Sequence, residues 1–163
     1  MAKDKTLIVA SAASTIFYDG TDVGYTLGGV ELTQDITKFD VTADQSNTAL
    51  QQTLQEKIWR VKVPMTEMSI ANMGVAFTVD TANTNGSTNI IFDSTDDPAT
   101  KTLGFVASNL NGDVIRVFYH AVQVESVDAV TFNKAAQAVL NVTFRCFDAA
   151  GTNNPGYAYR QTS

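Results

Sequence analysis

A two-residue alternation of apolar and polar side chains runs through most of this chain and constrains its fold more than any other feature. Residues 140–146 place Leu, Val, Phe and Cys at the even positions and Asn, Thr and Arg between them. Because successive side chains of a strand point to opposite faces, such a segment buries one face and exposes the other. Residues 57–63 and 38–44 repeat the pattern. These three segments are predicted to be half-buried antiparallel strands.

Turn residues connect the predicted strands. The dipeptides at 19–20 (Asp-Gly) and 111–112 (Asn-Gly) each lie between two apolar stretches, and both favour the positive φ angles of tight hairpins. Residues 114–124 are apolar on both faces and predict a central strand, covered on both sides or covered by a neighbouring subunit. The chain is therefore predicted to be mainly β, one antiparallel β-sandwich or barrel-like domain over residues 1–163.

One segment changes to the period of a helix. After Pro64, apolar residues recur at helical spacing, which predicts a short amphipathic helix over about residues 67–78 on the flank of the sheet. Thr66 is the predicted N-cap, and Glu67 places negative charge at the positive end of the helix dipole. Residues 80–101 form a polar, exposed excursion, and residues 1–12 and 148–163 are predicted to be terminal arms.

Charge and composition exclude several classes of protein. The 163 residues include 11 Lys and Arg against 17 Asp and Glu, a net charge of -6, which argues against a free-standing nucleic-acid binder because such proteins need a basic patch. No apolar run approaches the roughly 20 residues that span a bilayer, so no membrane association is predicted. The apolar stretch at residues 7–10 is too short for a signal peptide, and synthesis and assembly in a cytoplasm are expected.

The residues that could take part in catalysis or metal binding lack the partners that such sites require. His120 lies inside the most hydrophobic predicted strand without a matching catalytic or metal-binding set, so it is interpreted as structural. Cys146, the single cysteine, lies on an apolar strand face where burial makes a thiol inert. The acidic residues Asp93, Asp96 and Asp97 are interpreted as a solvated loop, since the ligand spacing of a calcium loop is missing. No catalytic site, metal or cofactor is predicted, and a building block is favoured over an enzyme.

A family resemblance emerges from the order of these segments. The residues that carry it are Gly28-Gly29-Val30, the strand end at 41–46, the strand at 58–63, Pro64, Thr66-Glu67 with Asn72-Met73, and the later segments 130–133 and 140–148. In this order and spacing, the chain resembles the tail tube (major tail) proteins of tailed bacteriophages. The resemblance covers about two thirds of the chain.

The resemblance implies a structural subunit of the virion tail. It implies that six subunits form a ring and that rings stack into a tube through which double-stranded DNA passes without specific binding. The implied partners are other copies of the chain and further tail proteins: the baseplate or initiator, the tape measure, the terminator and, if the tail is contractile, the sheath. It also implies a long hairpin at residues 36–63 that reaches between subunits and rings. The tip would hold Asp44, Gln45, Ser46, Asn47 and Thr48.

The acidic balance of the chain suits such a conduit. Carboxylates in the wall repel DNA, whereas Lys and Arg bind it by releasing counterions. The candidates for lumen-facing positions are Asp35, Asp40, Asp44, Asp113 and Glu125, and the alternative for each is a solvated outer face. Tyr157, Tyr159 and Arg160 are candidates for contacts between subunits, with an ordinary flexible tail as the alternative.

Two other functions fit the same pattern. A tail terminator or baseplate component would form one ring and stop. A monomeric β-sandwich that binds a glycan or a receptor would present an exposed aromatic platform. The one tryptophan, Trp59, instead lies on an apolar strand face.

Overall fold

The computed structural model of the chain describes residues 15–42, 51–77, 79–80, 91–92, 97–108, 113–132 and 137–161. Within them it contains one helix and ten strands. In chain order these are β1 (Thr15–Tyr18), β2 (Thr21–Asp22), β3 (Glu31–Val41), β4 (Gln51–Met65), α1 (Ile70–Ala76), β5 (Val79–Asp80), β6 (Ile91–Phe92), β7 (Lys101–Ser108), β8 (Val114–Val127), β9 (Leu140–Phe147) and β10 (Gly156–Gln161).

Eight strands form one antiparallel sheet in the order β2-β1-β7-β8-β9-β4-β3, with β10 paired to β8. Strand β7 pairs with one edge of β8. Strands β9 and β10 both pair with the other edge, β9 along residues 121–127 and β10 along residues 114–119. Strands β5 and β6 form a separate two-stranded sheet. The path through the main sheet is open, with β2 at one end and β3 at the other.

The prediction of a mainly antiparallel β fold with one short helix is confirmed. The core lies on one face of the sheet, where alternate side chains of adjacent strands meet. In β9 the even-numbered residues from 140 to 146 are buried, and they pair with the buried residues of β4, so that Val61 lies opposite Phe144 and Val63 opposite Val142. The tight turn at Asp19 and Gly20 has the positive φ angles, 50° and 79°, that its sequence predicts.

The helix begins later than its sequence pattern predicts. It spans Ile70–Ala76, and its N-cap is Ser69, whose hydroxyl accepts a hydrogen bond from the backbone N–H of Asn72 at 3.1 Å. The prediction of Thr66 as the cap is wrong. Both the backbone N–H and the hydroxyl of Thr66 donate to the carbonyl oxygen of Tyr25, at 2.9 and 3.0 Å, which holds this part of the chain extended. Glu67 is exposed and lies before the first helical turn.

The segments predicted as excursion and arms are only partly described. Within the predicted excursion, Asp80 and residues 91–92 belong to the pairing of β5 with β6, Lys101 opens β7, and residues 81–90 and 93–96 lie outside the described residues. The predicted N-terminal arm lies outside them as well. In the predicted C-terminal arm, residues 156–161 form β10, a strand of the subunit's own sheet.

Candidate functional site

A charged surface lies on the side of the sheet opposite the core. In β4, Arg60 and Lys62 alternate with the buried Val61 and Val63, and in β9 Arg145 alternates with buried neighbours. Since alternate strand residues point to opposite faces, these cations lie away from the core. We call this surface the polar face, and its residues that form ion pairs are Asp35, Glu56, Arg60, Lys62, Glu125, Asp128 and Arg145.

Arg60 is the centre of the polar face. Its Nε donates to Glu125 Oε2 at 2.5 Å and its Nη2 to Glu125 Oε1 at 3.0 Å, while Nη1 forms an ion pair with Asp35. Glu125 belongs to β8 and Asp35 to β3, so the guanidinium joins three strands and reaches across β9. The hydrogen bonds from Arg60 lower the pKa of Glu125, and those that Glu125 accepts raise the pKa of Arg60.

Two further cations on the polar face also have carboxylate partners. Lys62 Nζ lies 2.7 Å from Asp128 Oδ2, and this hydrogen bond raises the pKa of Lys62. Arg145 Nη2 lies 3.5 Å from Glu56 Oε1. Each of the three cations that β4 and β9 contribute to this surface is therefore held by at least one carboxylate of the same chain.

The five predicted lumen residues do not form a single group. Asp35 and Glu125 meet at Arg60, and Asp40 is exposed near the far end of β3. Asp113 is only 7% exposed, and its carboxylate is bound by Arg160, with Nε at 2.9 Å from Oδ2. Because that carboxylate is buried and engaged inside the subunit, Asp113 is not part of an exposed acidic surface. Asp44 lies outside the described residues.

Strands β3 and β4 form a long hairpin whose outer part carries exposed apolar side chains. The two strands pair from Glu31 with Lys62 to Val41 with Gln51, with a register shift after Thr37. The exposed fractions of Phe39 and Leu54 are 62% and 52%, and Ile36 and Val41 are exposed as well. The predicted tip residues Asp44, Gln45, Ser46, Asn47 and Thr48 lie outside the described residues. Monomeric proteins seldom expose such a group of large apolar side chains without a partner.

Besides the end strands β2 and β3, the main sheet has two further open strand borders within the part of the chain that the structure describes. The outer half of β4, residues 51–58, pairs with β3 alone, because β9 reaches β4 only from Trp59 onward. Strand β10 pairs with β8 alone. A groove of about 440 Å³ lies between these two borders, and its lining includes Leu32, Trp59 and Tyr157.

The predicted contact residues near the C-terminus form an exposed aromatic row. The rings of Tyr157 and Tyr159 stack with centroids 6.0 Å apart, and the Tyr157 ring lies 5.5 Å from those of Phe118 and His120. His120 is thus packed among aromatic rings. Arg160, the third predicted contact residue, forms the ion pair with Asp113 within the same chain.

The buried titratable groups show no sign of reactivity. Cys146 lies on the core face, and burial raises the pKa of its thiol to about 12. Burial likewise raises the pKa of Tyr119 to about 12. A thiol with such a pKa is protonated at neutral pH and is a poor nucleophile. In the described part of the chain, no group of three or more His, Cys, Asp or Glu side chains is placed to hold a metal ion.

Sequence reasoning missed the Arg60 network. The alternation places Arg60 and Lys62 on the polar side of β4, but it gives no partner for either cation. The partner Glu125 is 65 residues away in sequence and lies beyond an intervening strand. Only the strand order and register bring the two side chains together.

A family model described as phage tail tube protein matches residues 5–159, which is nearly the whole chain. The chain belongs to the phage tail tube protein family. The resemblance inferred from the sequence is thereby confirmed, and this tail tube protein is a structural protein of the phage virion tail. No curated protein matched the chain. Among the residues that the structure describes, no helix is long and apolar enough to cross a bilayer.

Proposed function

We propose that this tail tube protein assembles into hexameric rings, that the rings stack into a tube, and that the polar face lines the bore through which DNA leaves the capsid. Assembly takes place in the host cytoplasm, with the baseplate or initiator, the tape measure and the terminator as partners. A contractile tail would add a sheath. The observation that carries the proposal is the long β3–β4 hairpin with its exposed apolar residues and open strand border.

The hairpin supports assembly because a subunit of this shape is incomplete. Open strand borders present backbone donors and acceptors that another chain can pair with. Burying the exposed side chains of Phe39 and Leu54 against a neighbour removes apolar surface from water, which stabilises the assembly. A head-to-tail contact of this kind generates a ring when its rotation closes. The hairpin tip, at Asp44 to Thr48, extends this contact to the next ring.

The aromatic row provides a second contact between subunits. Tyr157 and Tyr159 are exposed on β10, beside the open border of that strand. Tyrosine is enriched at protein interfaces because its ring is apolar and its hydroxyl can still find a polar partner. We therefore place the neighbouring subunit against β10 as well as against the hairpin.

Electron microscopy of the purified protein tests the assembly. We expect tubes of stacked rings, formed spontaneously or after addition of the tail-assembly partners. A tail terminator or baseplate component would instead give single rings. Only monodisperse monomers at every concentration and salt, with the partners present, would refute the proposal.

Charge reversal of Glu31 tests the acidic lining, since Glu31 is exposed and lies directly opposite Lys62 on the polar face. Glu31→Lys places a cation where we propose that DNA passes, and the counterions that it releases from phosphate should retard the DNA. We expect tubes of normal length and slower DNA release from virions triggered in vitro. The matched control is Asp97→Lys, since Asp97 lies on the helix side of the molecule beside Val75 and Ala76. Equal release rates for wild type and Glu31→Lys would remove Glu31 from the lining.

A further inference from the structure

The polar face carries cations, although a conduit for DNA should not bind it. Arg60, Lys62 and Arg145 would each attract phosphate if they were unpaired. A guanidinium binds phosphate through two parallel N–H donors, in the same geometry in which it binds a carboxylate. Arg60 is therefore the residue of this surface best suited to hold a DNA backbone in place.

The structure shows where the donors of Arg60 are directed. Nε and Nη2 are both bound by the carboxylate of Glu125, at 2.5 and 3.0 Å, and Nη1 is bound by Asp35. All three nitrogens of the guanidinium are therefore bound by carboxylates. The two acids belong to strands on opposite sides of β4, the strand that carries Arg60. The fork that would bind phosphate is thus occupied by carboxylates of the same chain.

We propose that Asp35 and Glu125 act as intramolecular stand-ins for phosphate, keeping Arg60 from binding the DNA that passes along the polar face. The inference rests on the proposed function, since it requires that this surface lines the bore. The carboxylates of Asp35 and Glu125 would act in two ways, by binding the guanidinium of Arg60 and by repelling the phosphates of DNA. In the subunit, a single guanidinium therefore holds the β3, β4 and β8 strands together and is unavailable to the passing backbone.

The variant that tests this is Asp35→Asn/Glu125→Gln, which removes both ion pairs of Arg60 while keeping side chains of similar shape. In virions triggered in vitro, we expect slower DNA release that recovers as salt is raised. Each phosphate contact gives about a threefold change in affinity between about 50 and about 200 mM salt, and the subunits of every ring add to it. Adding Arg60→Gln to this variant removes the freed cation and should restore the release rate to near that of wild type.

A charge-matched control separates the role of Arg60 from the loss of two negative charges. Glu67→Gln/Asp97→Asn removes the same charge from the helix side of the molecule, where both residues are exposed. We expect this control to release DNA at the wild-type rate. Slow release that persists when Arg60→Gln is added, or that the control reproduces, would overturn the inference.

The comparison with Glu31→Lys distinguishes the two proposals. If Glu31→Lys slows release and Asp35→Asn/Glu125→Gln does not, the inference about Arg60 fails and the conduit stands. If neither variant changes release, the polar face does not line the bore and both fail.

A second measurement covers the case in which the double variant does not assemble. Binding of the unassembled full-length subunit to a short fluorescent DNA duplex is then measured at low and high salt. The double variant, or Glu125→Gln alone, should gain salt-dependent affinity of about threefold or more at low salt, and adding Arg60→Gln should abolish the gain. Affinity equal to that of wild type would refute the inference.

Discussion

Tyr25 determines where the helix begins. Its carbonyl oxygen accepts both hydrogen bonds of Thr66, so the chain stays extended through Met65 and Thr66 before it turns. Ser69 is the next residue with a side chain that can cap a helix, and its hydroxyl accepts from the N–H of Asn72. Asn72 in turn donates its side-chain amide to the carbonyl oxygens of Val23 and Glu67, both at 2.8 Å, which ties α1 to the preceding loop.

Ser69→Ala tests the position of the cap. Removal of an N-cap hydroxyl costs about 0.5–2 kcal/mol in the free energy of unfolding. We expect a loss in this range by chemical denaturation and faster hydrogen exchange of the Asn72 amide. Thr66→Ala is the control, and it should leave exchange of the Asn72 amide unchanged. If the Asn72 amide exchanged faster in Thr66→Ala and at the wild-type rate in Ser69→Ala, the cap would be Thr66.

Glu125 predicts a specific dependence of stability on pH. Its folded-state pKa lies below the ordinary value of 4.5, chiefly because Arg60 donates hydrogen bonds to its carboxylate. Near that pH the unfolded chain binds more protons than the folded one, so this contribution to the free energy of unfolding is complete above pH 4.5 and is lost as pH falls below it. Glu125→Gln removes the contribution, and we expect a shallower decline of stability in acid.

Acid denaturation of the unassembled subunit measures this difference. Glu67→Gln removes an exposed carboxylate outside the polar face and serves as the matched control. A decline for Glu125→Gln as steep as that of wild type would contradict the role assigned to the Arg60 pair.

Among the elements, the β3–β4 hairpin has an inner part that stabilises the subunit and an outer part that we propose contacts neighbouring subunits. Its inner part is bound to β9 and contributes Val61 and Val63 to the core, whereas its outer part pairs only within the hairpin. Residues of the outer part can therefore change without loss of core packing. Two leucines illustrate the contrast, since Leu54 is 52% exposed and Leu140 is fully buried.

Leu140→Ala and Leu54→Ala form a matched pair. Leu140→Ala leaves a cavity in the core and should lower the free energy of unfolding by about 2–5 kcal/mol. Leu54→Ala should change it by less than about 0.5 kcal/mol, because the side chain is exposed in the subunit. We expect Leu54→Ala to impair assembly, seen as fewer or shorter tubes by electron microscopy. Normal tubes from Leu54→Ala would remove this part of the hairpin from the contact between subunits.

The elements differ in how far the sequence predicts them. Strand β9 and the inner half of β4 follow from the alternation alone, because burial on one face leaves a clear two-residue pattern. The start of α1 does not, since a contact with Tyr25 decides between two possible caps. The Gly, Asn and Pro residues at 151–156 predict an arm where the structure has β10, because its pairing with the distant β8 leaves no local pattern. The Arg60 network depends on strand order, which no local pattern encodes.

At the scale of the whole molecule, the sheet has two different faces. One face carries the core and the helix, and the other carries the ion pairs of Arg60, Lys62 and Arg145. The open borders of the outer hairpin and of β10 lie at the sides of this sheet. Neighbouring copies that meet at these borders would leave the two faces free, one toward the axis of the ring and one toward the outside.

The most direct test is a reconstruction of the assembled tube by cryo-electron microscopy, at a resolution that shows side chains. It should place Asp35, Arg60 and Glu125 on the wall of the bore, with the hairpin of each subunit against its neighbours and α1 away from the axis. A tube whose bore is lined by the helix side, with the ion pairs of the polar face on the outer surface, would contradict the central claim.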